Sequence, residues 1–200
     1  MIDGVIKYNF DFQKSKPLPK PLFFKLEIVR KRLYSLGFIG EKDSIGFGNI
    51  SKRVDKESFV ITGTQTGHLS TLEAKHYALI EAYDDKKFYI KSSGASKPSS
   101  EALTHGTIYN LCDEIGAVIH IHSVALWNFM LENDFLQTKK VLYGSTEMIR
   151  EVNRIYNNLN PLSNPKFVMA GHEEGIIIFG KDLQEAEIFL LEIIGVFLSN

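Results

Sequence analysis

Apolar and polar residues alternate along the chain with two different periods, and these periods predict its elements. From Leu22 to Leu36 apolar residues recur every three to four positions with basic residues between them, which is typical of an amphipathic helix. Gly37 follows directly, where helices commonly end. Because three prolines lie just upstream, we predict an irregular N-terminal arm over residues 1–20 and the folded domain over residues 21–200.

Short apolar runs bounded by turn residues predict strands, and longer segments with a period near 3.6 residues predict further helices. The expected strands lie within 46–53, 58–62, 76–82, 87–91, 116–123, 139–143, 167–170 and 175–179. The expected helices are a short one near 71–75, then 99–112 capped by Ser99 or Ser100, 124–131, 144–157 capped by Ser145, and a last helix capped by Asp182. Since strands and helices interleave without repeats, we predict one α/β domain with helices on both faces of the sheet.

Composition narrows the class of protein. The chain has 200 residues, of which 44% are hydrophobic and 24% charged, and its formal net charge is −1. Scattered basic residues give no sign of a nucleic-acid surface, and the single Cys112 cannot form an internal disulfide. The apolar run Ile188–Leu198 is interrupted by Glu192 and is shorter than the roughly 20 residues of a spanning helix. With no signal-peptide pattern at the N-terminus, we expect a cytoplasmic enzyme without a membrane partner.

The candidate chemistry centres on the predicted strand 116–123. Side chains two positions apart on a strand share a face, so His120 and His122 would present their imidazoles side by side. Two such imidazoles can bind one metal ion; the alternative is that each satisfies a hydrogen bond in the core. Glu101, after two serines, lies upstream of this strand, and His172 lies downstream.

A series of motifs resembles the class II aldolase/adducin family, which contains fuculose-phosphate-type aldolases and ribulose-phosphate 4-epimerases. In chain order the motifs are Gly48–Arg53, Ile61–Thr64, Pro98–Glu101 with His105, Ala117–His122, Tyr143–Glu147 and Gly171–His172. The resemblance implies a single-domain three-layer α/β/α sandwich with a mixed, largely antiparallel central sheet. It also implies a fourfold-symmetric homotetramer with sites near the subunit contacts.

The resemblance further implies a divalent metal, usually zinc, held by His120, His122 and His172. Neutral imidazoles bind zinc well, and a catalytic site leaves one coordination position open for substrate or water. Glu101 would transfer a proton at a carbon beside the bound carbonyl, through an enediolate. The alternative for Glu101 is a favourable interaction with the N-terminus of its helix. His105, one turn later, is expected to support the site rather than to bind the metal.

By the same resemblance, a phosphate pocket would use Asn49, Thr62, Gly63, Ser99 and Ser100. Small hydroxyls, an amide side chain and a helix N-terminus favour a dianion. In this chain the loop at 63–67 is rearranged relative to the family, so the alternative is a polar turn that binds no anion.

Further departures from the family bear on the substrate or on the metal site. No tyrosine occurs between Val124 and Leu142, where family aldolases carry one that acts as an acid in a neighbouring subunit. Glu173 and Glu174 are inserted after His172, and the chain stops at residue 200, soon after its last helix. The leading hypothesis is a metal-dependent aldolase-type lyase that cleaves a small hydroxylated carbonyl compound, with a sugar phosphate as the expected substrate. The alternatives are a 4-epimerase or dehydratase on the same scaffold, or a non-catalytic adducin-like binding module.

Overall fold

The computed structural model describes residues 7–200, and its middle layer is an eight-stranded sheet. The strands are β1 (Asn9–Lys14), β2 (Gly40–Lys42), β3 (Ile45–Phe47), β4 (Asn49–Arg53), β5 (Phe59–Thr62), β6 (Tyr77–Asp84), β7 (Tyr89–Gly94), β8 (Ala117–His122), β9 (Lys166–Val168) and β10 (Gly175–Gly180). The sheet order is β1-β7-β6-β5-β4-β8-β10-β9, and β2 pairs only with β3 in a separate hairpin. Because β1 and β7 are parallel and the other neighbours in the sheet are antiparallel, the predicted mixed, largely antiparallel sheet is confirmed.

Helices cover both faces of this sheet, which confirms the three-layer α/β/α sandwich. The helices are α1 (Lys20–Ser35), α2 (Ala102–Leu111), α3 (Val124–Glu132), α4 (Thr146–Ile155) and α5 (Leu183–Leu198). One apolar cluster joins α2 and α4 to the sheet, and a second cluster joins α1, α3 and α5 to the opposite face. The two clusters are the hydrophobic cores of the single domain.

Strand β8 shows how the sheet positions the polar chemistry. Its Val118 belongs to the cluster under α2 and α4, whereas Ile119 and Ile121 belong to the cluster under the other helices. Because side chains alternate along a strand, His120 and His122 lie on the same face as Val118. This is the face that α2 covers, so the strand directs both imidazoles toward the start of that helix.

The N-terminal prediction was wrong over part of its length. Residues 9–14 form β1, which pairs in parallel with β7 at the edge of the sheet. The three prolines restrict only the segment after β1, and Phe10 packs against the core. Residues 1–6 of the expected arm lie outside the described residues, and the domain boundary at residue 21 stays a prediction.

Two further expectations also differ from the structure. No strand forms at 139–143, because the Lys139 amide donates to Glu151 Oε2 and the Val141 amide donates to the Lys139 carbonyl. The helix expected from residue 99 begins at Ala102, since the Ser99 carbonyl and hydroxyl instead accept bonds within a turn. Neither Ser99 nor Ser100 is therefore the helix cap. Ser145 and Asp182 cap α4 and α5 as predicted.

Candidate active site

Three histidines from separate segments meet at one point. His120 and His122 end strand β8, and His172 lies in the turn before β10, the strand that pairs with β8. A ring nitrogen from each histidine lies within 4.8 Å of the others, and Nε2 of His122 is 3.1 Å from Nε2 of His172. Nitrogens on one tetrahedral zinc ion would be about 3.3 Å apart. The structure thus brings together the three residues that were predicted as metal ligands.

Carboxylates lie beside the Nδ1 atoms of His120 and His122, so the Nε2 atoms of both rings can face the cluster. His120 Nδ1 lies 2.5 Å from Glu101 Oε2 and donates to it, and His122 Nδ1 faces Glu174 Oε2 at 3.9 Å. His120 Nε2 is buried and has no hydrogen-bond partner among residues 7–200. A carboxylate behind Nδ1 with a free Nε2 in front is the usual arrangement around a metal-bound histidine. The donor set therefore fits a divalent metal ion.

Glycine at position 175 gives the histidines room. A Cβ atom there would lie 2.7 Å from the His172 ring and 3.2 Å from His120 Nε2. The close approach of β10 to the cluster is thus possible only because this residue has no side chain.

Glu101 is fully enclosed beside the histidines. Its Oε2 accepts bonds from His120 Nδ1 and, at 2.8 Å, from Asn49 Nδ2, while its Oε1 has no partner among the described residues. Its side chain makes no capping bond at the start of α2, so the alternative of a capping glutamate is not what the structure shows. Glu101 instead lines the same cavity as His122 and His172.

The electrostatics of this corner follow from burial and from the close packing of charges. Burial alone would raise the pKa of the Glu101 carboxyl. The attraction and hydrogen bond of His120, the attraction of His172 and the bond from Asn49 together hold it below its ordinary value. Burial, reinforced by His120 and His172, lowers the pKa of His122 to about 2. A neutral imidazole at this position has the form that a metal ion requires.

His105 lies one turn beyond Glu101 in α2 and is outside the histidine cluster. Its Nδ1 is 2.7 Å from Ser51 Oγ, which is also 2.8 Å from the hydroxyl of Tyr109. Burial is the main reason that its pKa is lowered to about 3; the effect of His120 adds to this, while Glu101 opposes it. His105, Ser51 and Tyr109 thus form a neutral, buried network behind Glu101, on the side of the site that α2 covers.

The cavity in front of the cluster has a volume of about 340 Å³ and extends to the predicted phosphate pocket. Asn49, Gly63, Ser99 and Ser100 line it, together with Thr64–Gly67. Thr62 is not among the lining residues, because it is buried within β5, where its hydroxyl accepts from the Ile50 amide. The polar end of the cavity is therefore built by the loop at 63–67 and by the turn before α2.

Sequence reasoning missed the hairpin β2–β3, which lies over the cluster. The Phe47 ring is 5.1 Å from that of His122, and Lys42 Nζ is 2.8 Å from Glu174 Oε1. Glu174, part of the insertion after His172, has φ +70°, which is uncommon for a residue with a side chain. In the sequence, the insertion of Glu173 and Glu174 was the one signal that could have indicated the contact between Lys42 and Glu174.

The N-terminal segment also reaches the site, which sequence reasoning did not anticipate. The Tyr143 ring packs 4.3 Å from that of His172, and Lys7 Nζ lies 4.0 Å from the Tyr143 ring and donates to its carbonyl. The Tyr8 hydroxyl donates to the Ser99 carbonyl. Parallel pairing of β1 with β7 places these two residues, and no pattern in the segment indicated that pairing.

Comparison with known proteins gives the same family and the same fold. The sequence model of one protein family, the class II aldolase and adducin N-terminal domain, matches residues 39–195. Methylthioribulose-1-phosphate dehydratase of Sodalis glossinidius (strain morsitans) is 29% identical in an alignment of length 172; the match covers 72% of this chain and 79% of that protein. None of the helices in residues 7–200 is long and apolar enough to cross a bilayer.

Solved structures share the architecture at low sequence identity. An L-fuculose 1-phosphate aldolase superposes with a TM-score of 0.68 at 18% identity, covering 90% of this chain and 84% of the other. A sugar-phosphate aldolase from Thermotoga maritima gives 0.66 at 18%, covering 90% and 94%. YgbL from Klebsiella pneumoniae gives 0.67 at 18%, covering 87% and 85%. At these identities the likeness establishes the fold alone.

Proposed function

The chain belongs to the class II aldolase and adducin family, and from that premise we propose that it is a metal-dependent lyase acting on a small phosphorylated hydroxyketone. His120, His122 and His172 would hold the ion, with zinc as the proposed metal. When bound, the ion supplies Lewis acidity that polarises a substrate carbonyl. A binding module without catalysis would not need a complete donor set beside a buried carboxylate.

The observation that carries this proposal is the state of Glu101. One of its oxygens is fixed by His120 and Asn49, and the other is buried without a partner next to the cavity. The fixed oxygen sets the orientation of the carboxylate, and the second oxygen remains to exchange a proton with the substrate. In aldol cleavage the Glu101 carboxylate would take the proton of the hydroxyl on the carbon that becomes the aldehyde, and would return it to the enediolate carbon after the carbon–carbon bond breaks.

The opposite end of the cavity is suited to an anion. Ser99 and Ser100 precede α2, and the loop at 63–67 adds the Thr64 hydroxyl and the amides of residues 65–67, which donate to no backbone carbonyl among residues 7–200. A helix N-terminus and converging amides stabilise a dianion such as a phosphate monoester. A substrate with a carbonyl near one end and a phosphate at the other would contact both ends of the cavity.

A dehydratase is the second candidate, and it is favoured by the similarity to methylthioribulose-1-phosphate dehydratase. Dehydration would use the same groups: Glu101 would remove a proton from the carbon beside the carbonyl and deliver it to the hydroxyl one carbon further, which leaves as water. Since the segment 124–142 lacks a tyrosine, the acid that family aldolases take from it is missing here. Dehydration on this site is thus a direct competitor of cleavage.

A product assay separates the candidates. The metal-loaded protein is incubated with a panel of ketose phosphates, and the products are separated by chromatography and identified by mass spectrometry. Dihydroxyacetone phosphate indicates cleavage, a product that has lost water indicates dehydration, and an isomer of unchanged mass indicates epimerisation. His122→Ala serves as the control, because it removes a proposed ligand. No turnover in the loaded wild type, combined with capture of a protein partner, would favour the adducin-like alternative.

We also propose a homotetramer and a cytoplasmic location, as in related enzymes. Several apolar residues on the outer side of α5 are exposed, among them Leu191 and Val196 at 57% and 50%. Apolar surface of this kind supports subunit contact. Analytical ultracentrifugation that finds only a monomer would contradict the tetramer.

A further inference from the structure

A buried arginine lies behind the anion end of the cavity. Arg30 projects from α1 into the domain and is only 1% exposed. Its Nη2 donates to the carbonyl of Thr66 at 3.1 Å and to that of Gly67 at 3.2 Å. Both acceptors belong to the loop at 63–67, whereas Arg30 itself is not among the residues that line the cavity.

Hydrogen bonds satisfy only part of this buried guanidinium. Its Nε and Nη1 have no hydrogen-bond partner among residues 7–200. Glu27, the neighbouring carboxylate on α1, accepts instead from the Leu72 amide and the Tyr77 hydroxyl, and it makes no ion pair with Arg30 within 4.0 Å. The Tyr34 ring lies 4.9 Å from the Arg30 Cζ, and Glu27 attracts the guanidinium, but burial outweighs these contacts and lowers the pKa of Arg30. The unsatisfied donors thus leave a net cost of burial, which is consistent with a role beyond stability.

The two carbonyls that Arg30 binds fix the direction of the next two amides. In a trans peptide the C=O of one residue and the N–H of the following residue point in opposite directions, and the described part of the chain has no cis peptide. The N–H groups of Gly67 and His68 therefore point away from the guanidinium. Gly67, which lines the cavity, lies between Arg30 on one side and the hairpin on the other.

The loop needs such support because its conformation is unusual. Gln65 has φ +55°, which is rare for a residue with a side chain. Its Oε1 accepts from the Gly46 amide, and the Thr66 hydroxyl donates to the Gly63 carbonyl. These bonds hold the loop from the hairpin side and from within, and Arg30 holds it from the core side.

We propose that Arg30 is a positioning residue for the phosphate subsite: it orients the loop amides and supplies buried positive charge behind them. The inference rests on the proposed function, since it concerns the phosphate of that substrate. Low local dielectric makes a charge at this position effective, although it never touches the ligand. Substrate phosphate would in turn offset part of the burial of the guanidinium.

The test compares Arg30→Met with the matched control Arg32→Met. Arg32 lies on the same helix but is exposed and paired with Glu187. Binding of inorganic phosphate to the metal-loaded proteins is measured by calorimetry, and amide hydrogen exchange of residues 63–69 is followed with and without phosphate. We expect R30M to weaken phosphate binding by about tenfold or more and to lose the phosphate-dependent protection of the loop. R32M should stay within about twofold of wild type, which corresponds to less than about 0.5 kcal/mol.

Further readouts separate positioning from general damage. In R30M the bound metal per chain and kcat should match wild type, while KM for a phosphorylated substrate rises with the phosphate dissociation constant. If R30M does not fold, Arg30→Lys decides, because it keeps the charge but cannot bind both carbonyls as a fork: binding several-fold weaker supports the proposal, and wild-type affinity overturns it. Phosphate binding within about twofold of wild type in folded R30M also overturns it. A wild-type protein that binds no phosphate would instead contradict the proposed substrate class, and Arg30 with it.

Discussion

The two ends of the cavity are built in different ways. At the metal end, three imidazoles and a carboxylate from β8, α2 and the turn before β10 point directly at one another. At the anion end, the loop at 63–67 lines the cavity, and Arg30 holds the carbonyls of Thr66 and Gly67 from behind. Removal of a lining side chain should therefore abolish metal binding at the metal end. At the anion end, phosphate binding should weaken when a residue behind the loop, such as Arg30, is replaced.

The largest effect is expected for His122→Ala. Loss of one of three ligands should abolish metal binding and lower turnover by about a thousandfold or more, because the Lewis acid is lost. Phosphate protection of the loop at 63–69 should persist, since the anion end does not depend on this side chain. Elemental analysis and hydrogen exchange check the two expectations. Loss of that protection in the folded variant would show that the two ends are not separable.

Glu101→Gln should have the next largest effect. The glutamine oxygen can still accept from His120 Nδ1, so bound metal per chain should match wild type. Without a carboxylate, turnover should fall by about 10²- to 10⁴-fold because proton transfer is lost. Steady-state kinetics with metal analysis tests this. Turnover close to wild type would exclude Glu101 as the proton-transfer group.

Gly175→Ala tests the metal end without removing any ligand. The added methyl group would press against the His172 ring and His120 Nε2, so metal affinity should fall by about 10- to 100-fold. Gly195→Ala is the matched control, because no atom lies within 4 Å of the added carbon. Competition with a chelating dye measures both variants. Equal metal affinity in the two would argue that the cluster tolerates distortion.

Ser100→Ala should produce the smallest effect. Ser100 lines the anion end, and loss of one hydroxyl should raise KM for a phosphorylated substrate by a few-fold, up to about tenfold, with kcat unchanged. Ser163→Ala, at an exposed position, provides the control. A fall in kcat without a change in KM would place Ser100 at the reacting centre instead.

The difference between the two ends also explains what the sequence could predict. Histidines and a glutamate carry their chemistry in their side chains. The spacing of His120 and His122 predicted that they share a face, and the resemblance to the family added His172 and Glu101 to the cluster that the structure brings together. Thr62 has the right chemistry for phosphate but lies inside β5, where its hydroxyl accepts from a neighbouring strand. Arg30 looked like one of several basic residues on an amphipathic helix, and only three-dimensional packing shows that it is buried.

The fold was predictable to a similar degree. Periodicity located most of the elements on both faces of the sheet, and the resemblance supplied the order of the motifs. Strand β1 was missed because its pairing partner, β7, is about 80 residues away in the sequence, and no local pattern encodes such a contact. The segment 139–143 has the apolar content of a strand, but its Lys139 amide donates a hydrogen bond to the Glu151 carboxylate and not to a neighbouring strand.

Anomalous diffraction at the zinc absorption edge, from crystals grown with zinc and inorganic phosphate, tests the central claim most directly. We expect one zinc peak about 2.0–2.1 Å from a nitrogen of His120, His122 and His172. We also expect phosphate at the other end of the cavity, between the loop at 63–67 and the start of α2. A zinc ion that lacks His172 as a ligand, or phosphate bound only outside the cavity, would contradict the proposed site.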